Sequence, residues 1–224
     1  MNNKVRLFCF LVLLFITANG NAQKSDVGNW FAYLGNQKIN NKWNWHNEVQ
    51  YRNFNFAGDL EQLMVRTGLG YNLSENNNNV LLGYAYIHSE PYIVGTEEKK
   101  RTDEHRIFQQ FITKQQFGRV SISHRYRFEQ RFLQDDFKMR FRYSLSLNVP
   151  INKKVMEKNA VYASLSNEIF VNTKQNHYDR DRVYGGIGYC FSKYVKVEAG
   201  VMSQLLSATS RTQFQIMIFN NLPF

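Results

Sequence analysis

Arginine and glutamate recur at every second position through the middle of this chain. Arg125, Arg127, Glu129 and Arg131 alternate with His124, Tyr126 and Phe128, and Lys138, Arg140 and Arg142 alternate with Phe137, Met139 and Phe141. Glu48, Arg52, Arg66, Glu168 and Arg182 fall on the polar parity of other runs, as do Arg106 and Lys114. Guanidinium and carboxylate groups at this spacing support two chemistries. Neighbouring strands can bridge opposite charges through the planar arginine fork. An excess of cations can instead form a positive lining that concentrates small anionic solutes.

Other chemistry is weaker. His124 with a serine would suggest a hydrolase, but Ser121 and Ser123 have the opposite parity on the same strand and no Gly-X-Ser-X-Gly elbow occurs. His46, His88, His105 and His177 form no recognisable close metal motif. Asp135-Asp136 reads as a tight turn, and Asp179 and Asp181, flanking Arg180, read as solvated loop residues. No catalytic residue, metal site or cofactor is assigned, and the balance is against an enzyme.

The elements that must position these charges are strands. Period-two alternation marks segments 42–54, 61–73, 79–88, 105–116, 119–132, 136–149, 160–171, 182–192, 194–203 and 212–224, with a less regular run at 27–34. Phe117-Gly118 supplies a hairpin turn. In 119–132 and 136–149 a one-residue slip would move several guanidiniums to the aromatic face, which fixes the register if that face meets lipid. The last segment places Leu222, Asn220, Ile218, Ile216 and Phe214 on the same face as the terminal Phe224.

Met1–Ala22 has the form of a cleavable export signal: Lys4 and Arg6, an apolar run from Leu7 to Ile16, then Gly20-Asn21-Ala22. The run is too short to span a bilayer. Residues 23–224 then form one domain, the formal charge of +10 falls to +8 without Lys4 and Arg6, and Cys190 is left without a disulfide partner. Aromatics make up 15% of the chain, yet no later stretch is apolar enough for a membrane helix. Only strands reconcile these facts with a membrane, and export with alternating aromatics argues against nucleic-acid binding.

The expected fold is an all-β, antiparallel outer-membrane-type up-and-down barrel of about ten strands, with twelve as the alternative if 27–34 joins the wall. Bacterial barrels use even counts that bring both termini to the periplasm. Trp43, Trp45, Tyr51 and Tyr126 are candidates for an aromatic girdle. The other fold compatible with the pattern is a soluble periplasmic barrel or sandwich. In that case the aromatic faces would turn inward.

Three stretches carry a family likeness: Gly28-Asn29-Trp30-Phe31, Trp43-Asn44-Trp45-His46-Asn47-Glu48, and His124-Arg125-Tyr126-Arg127-Phe128-Glu129-Gln130-Arg131. With the export signal, they resemble the domain of unknown function 2490 family of exported Bacteroidota proteins. The resemblance implies an outer-membrane-like barrel and brings no substrate, reaction or active residue with it. The sequence therefore leads to a monomeric outer-membrane barrel, structural or ligand-binding, with a narrow basic lumen. Its partners would be outer-membrane lipid and the barrel-insertion machinery. A porin-like channel for small anionic solutes is the alternative, and a lipid or ester hydrolase the more distant one.

Overall fold

The computed structural model describes residues 27–74, 77–174, 177–207 and 209–223, so the expected export signal at Met1–Ala22 and Phe224 lie outside the described residues. Eleven strands follow in order: β1 (Val27–Lys38), β2 (Trp43–Asn53), β3 (Leu60–Asn72), β4 (Asn78–Ser89), β5 (Thr102–Phe117), β6 (Val120–Leu133), β7 (Asp136–Pro150), β8 (Val161–Asn172), β9 (Tyr178–Cys190), β10 (Val195–Leu205) and β11 (Ser210–Asn220). Each pairs antiparallel with its chain neighbours, and β1 pairs with β11 to close the barrel. Closure leaves no strand edge with unsatisfied backbone groups.

That closing pair is parallel, running from Val27↔Thr212 to Gly35↔Asn220. The irregular 27–34 run thus belongs to the wall, and the count of eleven lies between the ten and twelve expected. An odd wall forces the change of direction, because antiparallel neighbours must alternate. It also corrects the placement of the ends: β1 starts at the rim opposite the one where β11 finishes. β11 itself stops at Asn220, short of the terminal residues expected to extend it.

Alternation decides what each face meets. On β7 the ring of Phe141 is 52% exposed, whereas its neighbour Arg142 is 8% exposed. Phe128 stacks on Phe141 with ring centroids 4.5 Å apart, and Tyr126 with Tyr143 and Phe132 with Phe137 form tilted pairs at 5.1 Å. These are cross-strand partners in the β6–β7 register, so the rings cover the outer face of the ladder that the sequence pattern indicated. Trp43, Trp45, Tyr51 and Tyr126 are likewise exposed on the outside. The aromatic parity therefore turns outward, which sets aside the inward-turned sandwich.

Small residues make room inside the wall. A Cβ at Gly83 would collide with the buried ring of Phe108, and one at Gly188 with the ring of Tyr162. At the β5–β6 hairpin Gly118 adopts φ 55°, a conformation that glycine takes without steric penalty.

The two rims differ. The N-terminal end of β1 shares its rim with the β2–β3, β4–β5, β6–β7, β8–β9 and β10–β11 connections. Its long arm, residues 90–101, folds back on itself through Ile93 N–H to Glu98 O (2.8 Å) and Lys100 N–H to Pro91 O (2.9 Å). Lys99 Nζ ties the arm to the β2–β3 loop through Asp59 at 2.5 Å, and the Tyr92 hydroxyl donates to Asp59 at 2.9 Å. That bond raises the Tyr92 pKa. The opposite rim holds the end of β11 and the Gly118 hairpin.

Candidate functional site: the barrel interior

The polar parity of the strands converges inside the barrel, where the structure divides it into two sectors. In the first, formed by β5 to β8, Arg127 and Arg142 stand directly opposite each other in the β6–β7 register. Like charges so placed repel. Glu129 relieves them: its carboxylate accepts from Arg142 Nη1 at 2.7 Å and from Arg140 Nη2 at 2.7 Å. Glu168 accepts from Arg142 Nη2 and Arg125 Nη2, each at 2.7 Å. Arg127 donates through Nε to Gln110 Oε1 at 2.9 Å and stays 3.8 Å from Glu129.

Towards the long-loop rim, Glu104 is held by two forks. Arg106 reaches it through Nε (2.6 Å) and Nη2 (2.9 Å), and Arg131 through Nε (2.6 Å) and Nη2 (3.0 Å). Arg140 also donates to Asp179 at 2.8 Å. Asp179 is therefore no solvated loop residue. β9 begins at Tyr178, and the register shift at Phe170 and Val171, which leaves Asp179 out of the pairing with β8, lets it reach Arg140 from the same side as Arg180 and Arg182, while Asp181 accepts from Asn167 Nδ2 at 2.7 Å. Glu48 and Arg66, on β2 and β3, extend the pairing with a 2.6 Å contact.

The second sector, where β9, β10 and β11 meet β1 and β2, is built differently. Arg52 Nη2 donates to Gln50 Oε1 at 2.7 Å, and Arg182 Nε to Gln204 Oε1 at 3.0 Å. Gln204 donates on to Gln213 at 2.5 Å, and Gln213 to Glu61 at 3.2 Å. Amides thus do the work that carboxylates do across the barrel. The closest carboxylate approach to Arg182 is 3.9 Å, from Glu168, and Arg52 has none within ion-pair distance among the described residues.

Aromatic faces join the sectors. Phe108 lies under Arg127 (4.7 Å) and Arg66 (5.3 Å), and Phe170 under Arg142 (4.4 Å) and Arg182 (4.7 Å). The indole of Trp30 carries Arg52 at 3.6 Å and Arg182 at 5.1 Å. Desolvated contacts of this kind reach about 2 kcal/mol. A 440 Å³ cavity runs between the sectors, from Leu133 near the long-loop rim to Asn148 and Phe219 near the other. Its lower part is lined by Ser144, Ser146, Ser164 and Ser166, whose short side chains leave space that arginines fill higher up.

Of the charged residues expected to act together, Glu48, Arg52, Arg66, Arg125, Arg127, Glu129, Arg131, Arg140, Arg142, Glu168 and Arg182 all turn into the barrel. Lys138 does not join them. It sits at the rim, with a side chain that is nearly half exposed and paired with Asp136 at 3.0 Å, because β7 begins only two residues earlier. Phe108, Phe170, Trp30 and the glutamines were not singled out from sequence. Their inward parity was readable, but their convergence depends on pairing between distant segments.

On the outer wall His124 Nδ1 meets the Tyr143 hydroxyl at 2.9 Å, with stacked rings, so its nearest hydroxyl is a phenol and not a serine. His88 and His105 come together with Asp103: His88 Nδ1 is 2.7 Å from Asp103 Oδ1, which also accepts from Tyr86, and Tyr84 meets His105 at 2.5 Å. The cross-strand β4–β5 register produces this grouping, invisible in linear spacing.

The fold and interior together define a closed β-barrel with a charged core. The chain belongs to the family described as "Protein of unknown function (DUF2490)", whose model matches residues 27–215. No curated protein and no solved structure matches it.

Proposed function

We propose that this protein is an outer-membrane barrel whose interior is a closed, basic binding chamber. The observation that carries the reading is the contrast between faces: exposed aromatic and aliphatic side chains outside, and arginines, carboxylates and aromatic rings packed inside. An outward apolar wall with every strand paired is what a bilayer demands of a β-structure. The Arg140–Glu129–Arg142–Glu168 chain, flanked by the buried Phe108 and Phe170 rings, obstructs ion flow. In this reading the β11 end faces the periplasm and the 90–101 arm faces outward, and the barrel is monomeric.

The test is to isolate the protein from outer membranes, confirm folding by its heat-dependent shift on a denaturing gel, and record conductance in planar bilayers. Inserted protein without current supports a closed chamber. Reproducible anion-selective current would support a channel instead, a reading favoured by the reach of the 440 Å³ cavity towards both rims. Absence from outer membranes would sink both.

A further inference from the structure

Buried charges in a folded protein are ordinarily paired, because an unpaired ion away from water costs several kcal/mol. Arg52 and Arg182 are paired far more loosely: Arg52 has no carboxylate within ion-pair distance among the described residues, and Arg182 has only the shared Glu168, at 3.9 Å. Both are 7% exposed and both line the interior cavity. They share one aromatic platform, Trp30, yet their hydrogen bonds go to neutral glutamines.

The carboxylates nearby are engaged elsewhere. Glu48 is taken by Arg66 and Gln50, Glu168 by Arg142 and Arg125, Glu104 by Arg106 and Arg131, and Glu61, the carboxylate whose charge acts most on Arg52, by Arg211 at 2.7 Å and Gln213 at 3.2 Å. Glu198 also faces the cavity, on β10 nearer the β11-end rim, with Lys196 two residues away on the same face. On the cavity lining, Arg52 Nε and Trp30 Nε1 lack a hydrogen-bond acceptor, as do Arg66 Nε and Arg125 Nε, but those two arginines each hold a carboxylate, at 2.6 and 2.7 Å. Arg127 Nη1 is also without one, but Arg127 does not line the cavity.

The geometry points to an oxyanion site between Arg52, Arg182 and Trp30 that takes a phosphate-class dianion, inorganic phosphate or a small phosphate monoester. Two guanidiniums whose hydrogen bonds go to amides and not to carboxylates favour a dianion, and a phosphate monoester carries about −1.5 to −2 at neutral pH. A tetrahedral group can serve two forks and an indole N–H together, whereas a lone carboxylate has two oxygens and one charge. The serine-lined lower cavity has room for the short tail of an ester and leads towards the β11-end rim. This rests on the closed-chamber reading, and the site itself lies towards the long-loop rim, where β2 ends and β1 and β9 begin.

The experiment is isothermal titration of the detergent-folded protein with inorganic phosphate and with glycerol 3-phosphate, with acetate as the monoanionic comparison. Saturable binding of either phosphate, weakened at least tenfold by Arg52→Gln and by Arg182→Gln but unchanged by Lys138→Gln, is expected. The gel shift establishes that each variant is folded before it is titrated. Absence of saturable binding by folded wild-type protein would overturn the site, as would variants that bind like wild type or acetate that binds as tightly through the same arginines. These outcomes separate from the conductance result: an inserted, non-conducting barrel that ignores phosphate keeps the closed-chamber reading and loses only the site.

Discussion

The two sectors of the interior carry the same residue, arginine, in opposite electrostatic settings. Between β5 and β8 each buried carboxylate serves two guanidiniums, so that sector is held by its own charges. Between β9 and β2, glutamines take the hydrogen bonds of Arg52 and Arg182, and the only carboxylate within ion-pair distance of either among the described residues is Glu168, 3.9 Å from Arg182. The difference teaches that arginine content alone does not describe a lumen. An arginine locked to carboxylates is a brace, and one held by amides beside a cavity is not.

The largest effect expected from breaking this contrast is at Glu129. Glu129→Ala strips both Arg140 and Arg142 of a partner, and removal of one member of a buried ion pair costs about 3–5 kcal/mol. Urea unfolding in lipid vesicles would read the loss, and a cost under about 1 kcal/mol would mean that the β5–β8 sector is not braced by its charges.

Next come the outer faces, which should not distinguish the sectors at all. Phe141→Arg in one and Ile218→Arg in the other are each expected to cost about 2–4 kcal/mol if placed near the middle of a bilayer. Little change in either would show that the wall does not face lipid.

Arg52→Met should be far milder. It keeps much of the side-chain volume while removing a charge that has no carboxylate within ion-pair distance among the described residues, so stability without ligand should change by less than about 1.5 kcal/mol or rise. A loss as large as that of Glu129→Ala would show that Arg52 has a structural partner equal to those of the paired sector.

The smallest effect lies at the rim, away from both sectors. The hydrogen bond from His88 holds the Glu90 carboxyl below its ordinary value, with Arg101 and Lys99 close by. A depressed carboxylate stabilises the fold above its unfolded pKa of about 4.3. That contribution is lost as pH falls through the lowered folded value. Limited proteolysis of the 90–101 arm should therefore accelerate below about pH 4, and equal cleavage at about pH 3 and about pH 5 would remove Glu90 from the account.

How much of this was legible beforehand follows from the range over which each feature is decided. Strand alternation is local, so the inward turn of Arg127, Glu129, Arg140 and Arg142 could be read from parity once one face was taken as outer. The His88–Asp103–His105 grouping and the Gln50, Gln204 and Gln213 amides could not, because a residue's cross-strand neighbour depends on register and loop length. Asp179 was misplaced for a related reason: Asp and Arg resemble a loop in composition, and only the pairing of β9 with β8 draws them into a strand. The sharing of Trp30 by Arg52 and Arg182 required the ring to be closed.

What the sequence determined by itself is the β-character and the division of residues into an apolar and a charged face, since side chains alternate every two residues along any strand. The tertiary structure decided the rest: eleven strands in place of an even count, the parallel β1–β11 seam, and which arginines find a carboxylate. Those are properties of a closed ring. Its shear and register bring residues more than a hundred positions apart within hydrogen-bonding distance, and no local periodicity carries that information.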